Sequence, residues 1–349
     1  MTTRYPHGPL LDFATRLFAA AGAPEEKAAA IAAILVEGDL LGHVTHGLNL
    51  VPFYLREIES GAMTVEGDVE FVADRGAVLV LNGRRLPGPF VMLRTLDILL
   101  DRAETHGVAT ASIAESHHIG CLSAYLTRAT ERGSMAIIAS SDPSVATVAP
   151  FGGVEPVYSP NPLAIGIPTS GAPMLIDTSA SITTNNRAAR ATRGGERLPG
   201  QWFLTAGGEA TDDPTALADG GSILPVGGLE YGHKGFGLGL LIEALTQGLS
   251  GHGRADGPNR FGASLFLQVI ATGSFAGRGP FERQMDHLAE ACRASRPRRA
   301  DRPVRIPGER AVASRTSMMR DGVALDAGIV ENLTAAAQRY ALALPRPME

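Results

Sequence analysis

Two cysteines in 349 residues, Cys121 and Cys292, cannot staple a chain of this length, and no Cys-x-x-Cys is present. A disulfide framework is thereby excluded, and free thiols in a cytoplasmic setting are expected. Long apolar runs are also missing. The longest, "FGLGLLIEALTQGL", is too short to span a bilayer and carries Glu243. The first residues, "MTTRYPHGPLLDF", lack the apolar core of a secretory signal, so none is expected. Excess positive charge is absent too: 31 Lys and Arg stand against 36 Asp and Glu, a net charge of −5. Nucleic-acid binding needs clustered cations. The one basic cluster, "RASRPRRADRPVR" from Arg293 to Arg305, is broken by prolines and aspartates and reads as a loop. Neither nucleic acid nor membrane is an expected partner. Finally, no Gly-x-Gly-x-x-Gly stands between a strand and a helix, so any dinucleotide is held without the usual phosphate loop.

What is present suits a large folded core. Apolar residues make up 44% and charged residues 19%, enough for two domains or one large one. Residues 9–60 read as helices: Leu10, Phe13, Leu17 and Phe18 share one stripe, and Pro24-Glu25-Glu26 looks like a helix start. "VEFVADRGAVLVLNG" reads as a hairpin and "PFVMLRTLDILLDRAETHG" as a helix. "VATASIAES", "CLSAYLTRATERG" and "SMAIIASSD" follow as strand, helix and strand, a βαβ pattern. "PLAIGIPT" and "PMLIDTS" are further strands. Thr183 to Gly221 reads as a polar loop, and a long apolar helix is expected from Lys234 to Gly248. "ASLFLQVIAT" is a strand, residues 280–296 are a helix, and "IVENLTAAAQRYALAL" closes the chain as another. No internal repeat is visible. The class is α/β with helical flanks.

Four segments carry candidate chemistry. "GHVTHG" places His43 and His46 three residues apart. Zinc would need a third ligand, and the glutamate of His-Glu-x-x-His is missing. A helix end turned by Gly47 is the bland reading. The third reading is acid–base, with Thr45 orienting a His46 that gives a proton to substrate. "ESHHIG", Glu115 to Gly120, sits where a strand meets a helix, either a frequent ligand position in α/β proteins or a loop whose histidines are satisfied locally. "LPVGGLEYGHKGFGLGLL" crowds glycines around Lys234, which suits either close helix packing or approach to a phosphate. "VRIPGER", Arg305 to Arg310, is a turn with two guanidiniums, either an anion clamp or a solvated surface turn.

In this order, "GDLLGHVTHGLNLVPFYLREIESG", "ESHHIG", "SPNPLAIGIP", "LIDTSAS", "GGLEYGHKGFGLGLLIEALTQGLSG" and "VRIPGER" resemble the malate/L-lactate dehydrogenase family that is distinct from the Rossmann-type enzymes. That family includes relatives acting on ureidoglycolate, sulfolactate, diketogulonate and piperideine-2-carboxylate. The resemblance covers nearly the whole chain. It implies a homodimeric oxidoreductase using NAD or NADP, with a non-Rossmann mixed sheet and helical terminal segments. Hydride would pass between the nicotinamide and the carbon next to a carboxylate of a small-molecule substrate. Residues 1–65 and 305–349 would form a helical part of the catalytic and dimer region, and 66–304 the α/β cofactor-binding core.

Residue by residue, the resemblance makes His46 the proton donor and Thr45 the hydroxyl of its relay, with His43 structural and no metal ligand among them. Contact with the cofactor is implied for His118, Ile119 and Gly120, for Asp177, Thr178 and Ser179, for His233 and Lys234, and for Arg305, Pro307, Gly308 and Arg310. Three positions depart from the family pattern. Leu50 stands where relatives carry an arginine that holds the substrate carboxylate. Asn186 and Arg187 stand where a relay acid is expected, and Pro160 replaces a threonine. Arg187 or another cation would then take the carboxylate. Two other readings remain: a metal-dependent hydrolase using His43, His46 and His117 or His118, and an inactive paralogue that binds a metabolite.

Overall fold

The stripe Leu10, Phe13, Leu17 and Phe18 is wholly buried in the computed structural model, which describes residues 2–348. It lies on α1 (His7–Ala20), which follows a short strand β1 (Thr2–Tyr5). Helix α2 (Glu25–Leu40) is apolar on nearly every side, and a helix of that kind must be covered all round. Its Ile31 and Leu35 pack into a helical core with Phe13, Leu17 and Tyr54, while its Ala30 and Ile34 pack into the core of the sheet. Helix α3 (Val51–Glu59) completes the N-terminal part.

The main sheet starts with the expected hairpin, β2 (Glu70–Asp74) and β3 (Val78–Asn82). Helix α4 (Gly88–His106) then crosses to β4 (Val108–Ser116), parallel to β3. Helix α5 (Ser123–Glu131), β5 (Ser134–Ser141), β6 (Pro162–Ile167) and β7 (Met174–Ser179) follow. Next come α6 (Asn185–Gly194), the two-residue strands β8 (Phe203–Leu204), β9 (Ala210–Thr211) and β10 (Ser222–Ile223), and α7 (Gly228–Glu243). The chain ends with β11 (Ala263–Ala271), α8 (Arg278–Ala294), α9 (Glu309–Asp321), β12 (Val323–Asp326) and α10 (Ala327–Arg339).

Seven strands run in the order β2-β3-β4-β11-β5-β6-β7, a mixed sheet. The expected strand–helix–strand unit β4-α5-β5 is present with a difference. Its two strands are parallel but not neighbours, because β11 inserts between them, antiparallel to both. The near-continuous apolar run "ASLFLQVIA" suits a central strand covered on both faces. β1 pairs with β12, which ties the two ends of the chain together beside the helical core.

Two expectations are corrected, and one helix is new. Residues 183–221 are not a loop. They hold α6 and the strands β8 and β9, which β10 completes into a small sheet of order β10-β8-β9. Helix α6 forms because the Thr184 side chain accepts from the Arg187 amide (3.2 Å) and Gly195 ends it in a left-handed conformation. It buries only Ala188 and Ala191, so no apolar stripe announces it. Helix α7 begins at Gly228, six residues before Lys234, and ends at Glu243, where a π turn continues to Gly248. Its glycines weaken the intrinsic helix signal, but they answer to packing: a Cβ at Gly239 would lie 2.8 Å from the Tyr158 ring. Helix α9 follows the "VRIPGER" turn without having been anticipated.

Candidate active site

The chain leaves α2 through Gly42, whose φ of +80° suits only glycine well, and makes two 3-10 turns, Val44–His46 and Leu48–Leu50, before α3. Asp39, at the end of α2, holds this reversal. Its Oδ2 accepts from the Leu48 amide at 2.8 Å. An added Cβ at Gly47 would collide with the Asp39 carboxylate, so Gly47 is required by contact. Asp39 is 1% exposed, and its Oδ1 has no hydrogen-bond partner. Burial pushes its pKa up to about 7, against the Leu48 hydrogen bond, which lowers it.

That turn presents His46 to a cavity of about 1060 Å³. The Thr45 hydroxyl lies 3.0 Å from His46 Nδ1, which leaves Nε2 for a ligand. Burial lowers the His46 pKa, the nearby Asp177 carboxylate opposes this, and His43 adds to the lowering. The ring stacks on that of His118, with centroids 6.3 Å apart and planes 11° from parallel.

The loop after β4 supplies the second wall. The Gly120 amide donates to His118 Nδ1 (3.1 Å), so that nitrogen is an acceptor and the proton of the neutral ring sits on Nε2. Burial, with His46 and His117 adding to it, pushes the His118 pKa down to about 3. His117 is fixed in the same way. The His118 amide donates to its Nδ1 (2.9 Å), and its Nε2 lies 3.2 Å from Glu57 Oε2. Burial pushes its pKa down to about 4, with Arg85 contributing. Tyr54 donates to the His118 carbonyl at 2.7 Å. Phe53 and Phe261 pack on both imidazoles, with centroids 5.6–5.9 Å apart.

The strand β7 brings Asp177, Thr178 and Ser179 to the same cavity, along with Ile119 and Gly120. Asp177 Oδ2 accepts from the Ser123 amide (3.2 Å) and hydroxyl (2.6 Å) at the start of α5. The third wall is α6, which contributes Arg187 and Arg190. The Arg187 guanidinium lies over the Trp202 ring, 5.1 Å from its centroid. Leu50 lines the cavity as well.

Of the residues singled out in the sequence, His43, Thr45, His46, Leu50, His118, Ile119, Gly120, Pro160, Asp177, Thr178, Ser179, Asn186 and Arg187 therefore meet at one cavity. His233, Lys234, Arg305, Pro307, Gly308 and Arg310 do not line it. His233 and Lys234 are exposed on α7, where Lys234 stands over Tyr231 and His233 against Phe151. Arg305 and Arg310 are exposed, and Pro307 accepts from the Leu175 amide (3.1 Å), two residues before Asp177. Asp39, Ser123, Phe53, Phe261 and Arg190 escaped the sequence reading. Arg190 had a signal, since it lies three residues after Arg187 on one helical face, but only once α6 is known to be a helix.

The cavity fits a dinucleotide. It is at the upper end of the usual range for small-molecule sites. Three of its lining residues carry buried oxygens with no partner: Asp142 Oδ2, Thr183 Oγ1 and Asn185 Oδ1. Unpaired buried polar atoms are costly unless a ligand or water meets them. Arg187 and Arg190 supply positive charge. The histidines of the hydrolase reading do not converge: among the described residues, the one set of three ligating atoms within 4.8 Å of one another is His43, Cys121 and Asp177, without His46, His117 or His118.

Comparison with known proteins agrees with this geometry. The chain is 28% identical over 344 residues to malate dehydrogenase from Pyrococcus abyssi, covering 96% of this chain and 94% of that one. It is 33% identical over 256 residues to the Delta(1)-pyrroline-2-carboxylate/Delta(1)-piperideine-2-carboxylate reductase of Pseudomonas syringae pv. tomato, 72% of this chain and 71% of the reductase. The crystal structure of a dehydrogenase from Sinorhizobium meliloti superposes with a TM-score of 0.84 at 30% identity, over 96% of this chain and 98% of that one. The family model described as malate/L-lactate dehydrogenase matches residues 6–334. With that match spanning both terminal segments, the sheet and the cavity, the chain belongs to the malate/L-lactate dehydrogenase family.

Proposed function

We propose that this NAD(P)-dependent oxidoreductase transfers hydride to and from a C=O or C=N carbon beside a carboxylate, with His46 as the proton donor and Arg187 as the carboxylate anchor. The observation that carries this reading is His46 itself: held at Nδ1 by Thr45, it offers Nε2 to a cavity that Arg187 also lines. The nicotinamide supplies the hydride when bound. Contact with the dinucleotide falls to His118, Ile119 and Gly120 and to Asp177, Thr178 and Ser179, and either NAD or NADP serves. A neutral His118 adds no charge beside His46 and offers an Nε2–H donor. Thr45 orients the imidazole and accepts or donates as its protonation changes.

Leu50 cannot form a hydrogen bond with a carboxylate, and leaving one unpaired against it would be costly. Arg187, from α6, restores the missing charge, so the substrate differs in shape from malate and lactate. A homodimer is also part of this reading. Leu240, Leu241 and Leu249, on α7 and just after it, are 52%, 52% and 56% exposed, and a second copy would cover them. The deciding experiment follows nicotinamide absorbance with NADH and NADPH against a panel of 2-oxo acids and cyclic imino acids. Turnover of at least one, lost in His46→Ala, is expected. No turnover across the panel with either nucleotide would favour the inactive paralogue.

A further inference from the structure

We propose that His43, Cys121 and Asp177 form an inhibitory site for a thiophilic divalent cation, zinc(II) above all, inside the same cavity. The three side chains come from the turn after α2, the loop after β4 and the strand β7. Their ligating atoms lie within 4.8 Å of one another. Zinc bonds to nitrogen, sulfur and oxygen of roughly 2.0–2.3 Å place tetrahedral ligands some 3.3–3.8 Å apart. Closing the set asks these atoms to approach one another by about 1–1.5 Å at most, a change on the scale of side-chain rotation.

The surroundings are those of a supported ligand set. Ser123 donates twice to Asp177 Oδ2, which orients the carboxylate, while Oδ1 makes no hydrogen bond. A partner that orients a ligand in this way is a regular feature of metal centres. Cys121 is 3% exposed; burial and the nearby Asp177 carboxylate push its thiol pKa up, against the Ala124 and Ser123 amides, so the thiol keeps its proton until a cation meets it. Thiolate, imidazole and carboxylate together select zinc over magnesium or calcium. Three protein ligands leave a fourth position open to the cavity, as in an exchangeable site. On binding, the thiol loses its proton to solvent as the sulfur–metal bond forms, and nothing is oxidised or reduced.

All three residues line the cavity with His46. A bound cation therefore occupies space that the dinucleotide and substrate need. This exclusion rests on the cofactor placement proposed above, whereas the metal site does not.

The test uses untagged, chelator-treated full-length protein titrated with cobalt(II). A thiolate-to-cobalt charge-transfer band saturating at one equivalent per chain, and displaced by zinc, is expected. Cys121→Ser should abolish the band, His43→Gln should weaken cobalt binding tenfold or more, and Cys292→Ser, at the other cysteine, should leave the band in place. Absence of the band in the parent, or its persistence in Cys121→Ser, overturns the site. Calorimetry of NADPH and NADH binding with and without saturating zinc then separates the two readings. Loss of affinity supports the exclusion. A cobalt band with unchanged dinucleotide binding overturns the cofactor placement, and intact dinucleotide binding with no cobalt band overturns the metal site alone.

Discussion

The two sides of the cavity are built differently. On the histidine side, His46, His117 and His118 sit against a packed core, with His117 and His118 locked into one tautomer by backbone amides. On the α6 side, Arg187 and Arg190 rise from a helix that buries only two alanines and lies beyond the main sheet. Proton transfer needs a fixed geometry and a tuned pKa, so it belongs with the core. Recognition of a substrate's charge needs only a cation within reach, and it can change without disturbing that core. In the proposed reading the departure at Leu50 falls on recognition, Asn186 and Arg187 stand where a relay acid is expected, and His46 keeps its Thr45 partner.

The sharpest way to break this division is on the histidine side. His46→Ala should lower turnover by roughly two to four orders of magnitude, the usual weight of general acid–base catalysis, with dinucleotide affinity nearly intact. Steady-state rates and a fluorescence titration check both halves, and turnover within a few-fold of the parent would remove His46 from the mechanism. Arg187→Ala should instead act on KM. Loss of a charge-assisted contact of about 1.5–3 kcal/mol corresponds to roughly 10–150-fold in kcat/KM for the preferred acid. An equal fall in kcat at saturation would place Arg187 in the chemistry.

Leu50→Arg tests the same boundary from the other wall. It should raise reduction of pyruvate and oxaloacetate several-fold above a poor parental rate. Efficient parental turnover that falls in the variant would show that the carboxylate is held elsewhere. The smallest effect concerns Asp39. Its folded pKa is raised to about 7, so its stabilising contribution is greatest below the ordinary carboxylate range and is lost as pH rises through about 7. Asp39→Asn should flatten this slope. Melting temperatures of parent and variant should diverge in the variant's favour between about pH 4 and pH 7, and parallel curves would show that the carboxylate is not buried in the folded chain.

How much of this was legible depended on how local the signal was. The stripe Leu10–Phe18, the hairpin at residues 70–82 and the triplet Thr45-His46-Gly47 are written in consecutive residues, and each lies where it was expected. Helix α6 was hidden because "NNRAARATRG" is polar on most of its surface and its cap is a single threonine. The start of α7 was misplaced because its glycines answer to Tyr158 and Ala180, residues far away in the chain. Asp39 looked like one polar position in an alanine-rich helix. Only the fold puts Gly47 against it and Leu48 in hydrogen-bonding reach. The insertion of β11 between β4 and β5 joins segments more than 100 residues apart, a distance over which periodicity carries no information.

That insertion also sets an order of assembly. During synthesis, β4 and β5 emerge long before β11, and until residue 271 is made the middle of the sheet has a gap with two unpaired edges. Open edges of this kind invite pairing with other chains, and closing them requires a contact of long sequence separation, which is slow. A chain released early, before its central strand, would leave two separate sheet fragments rather than a shortened enzyme.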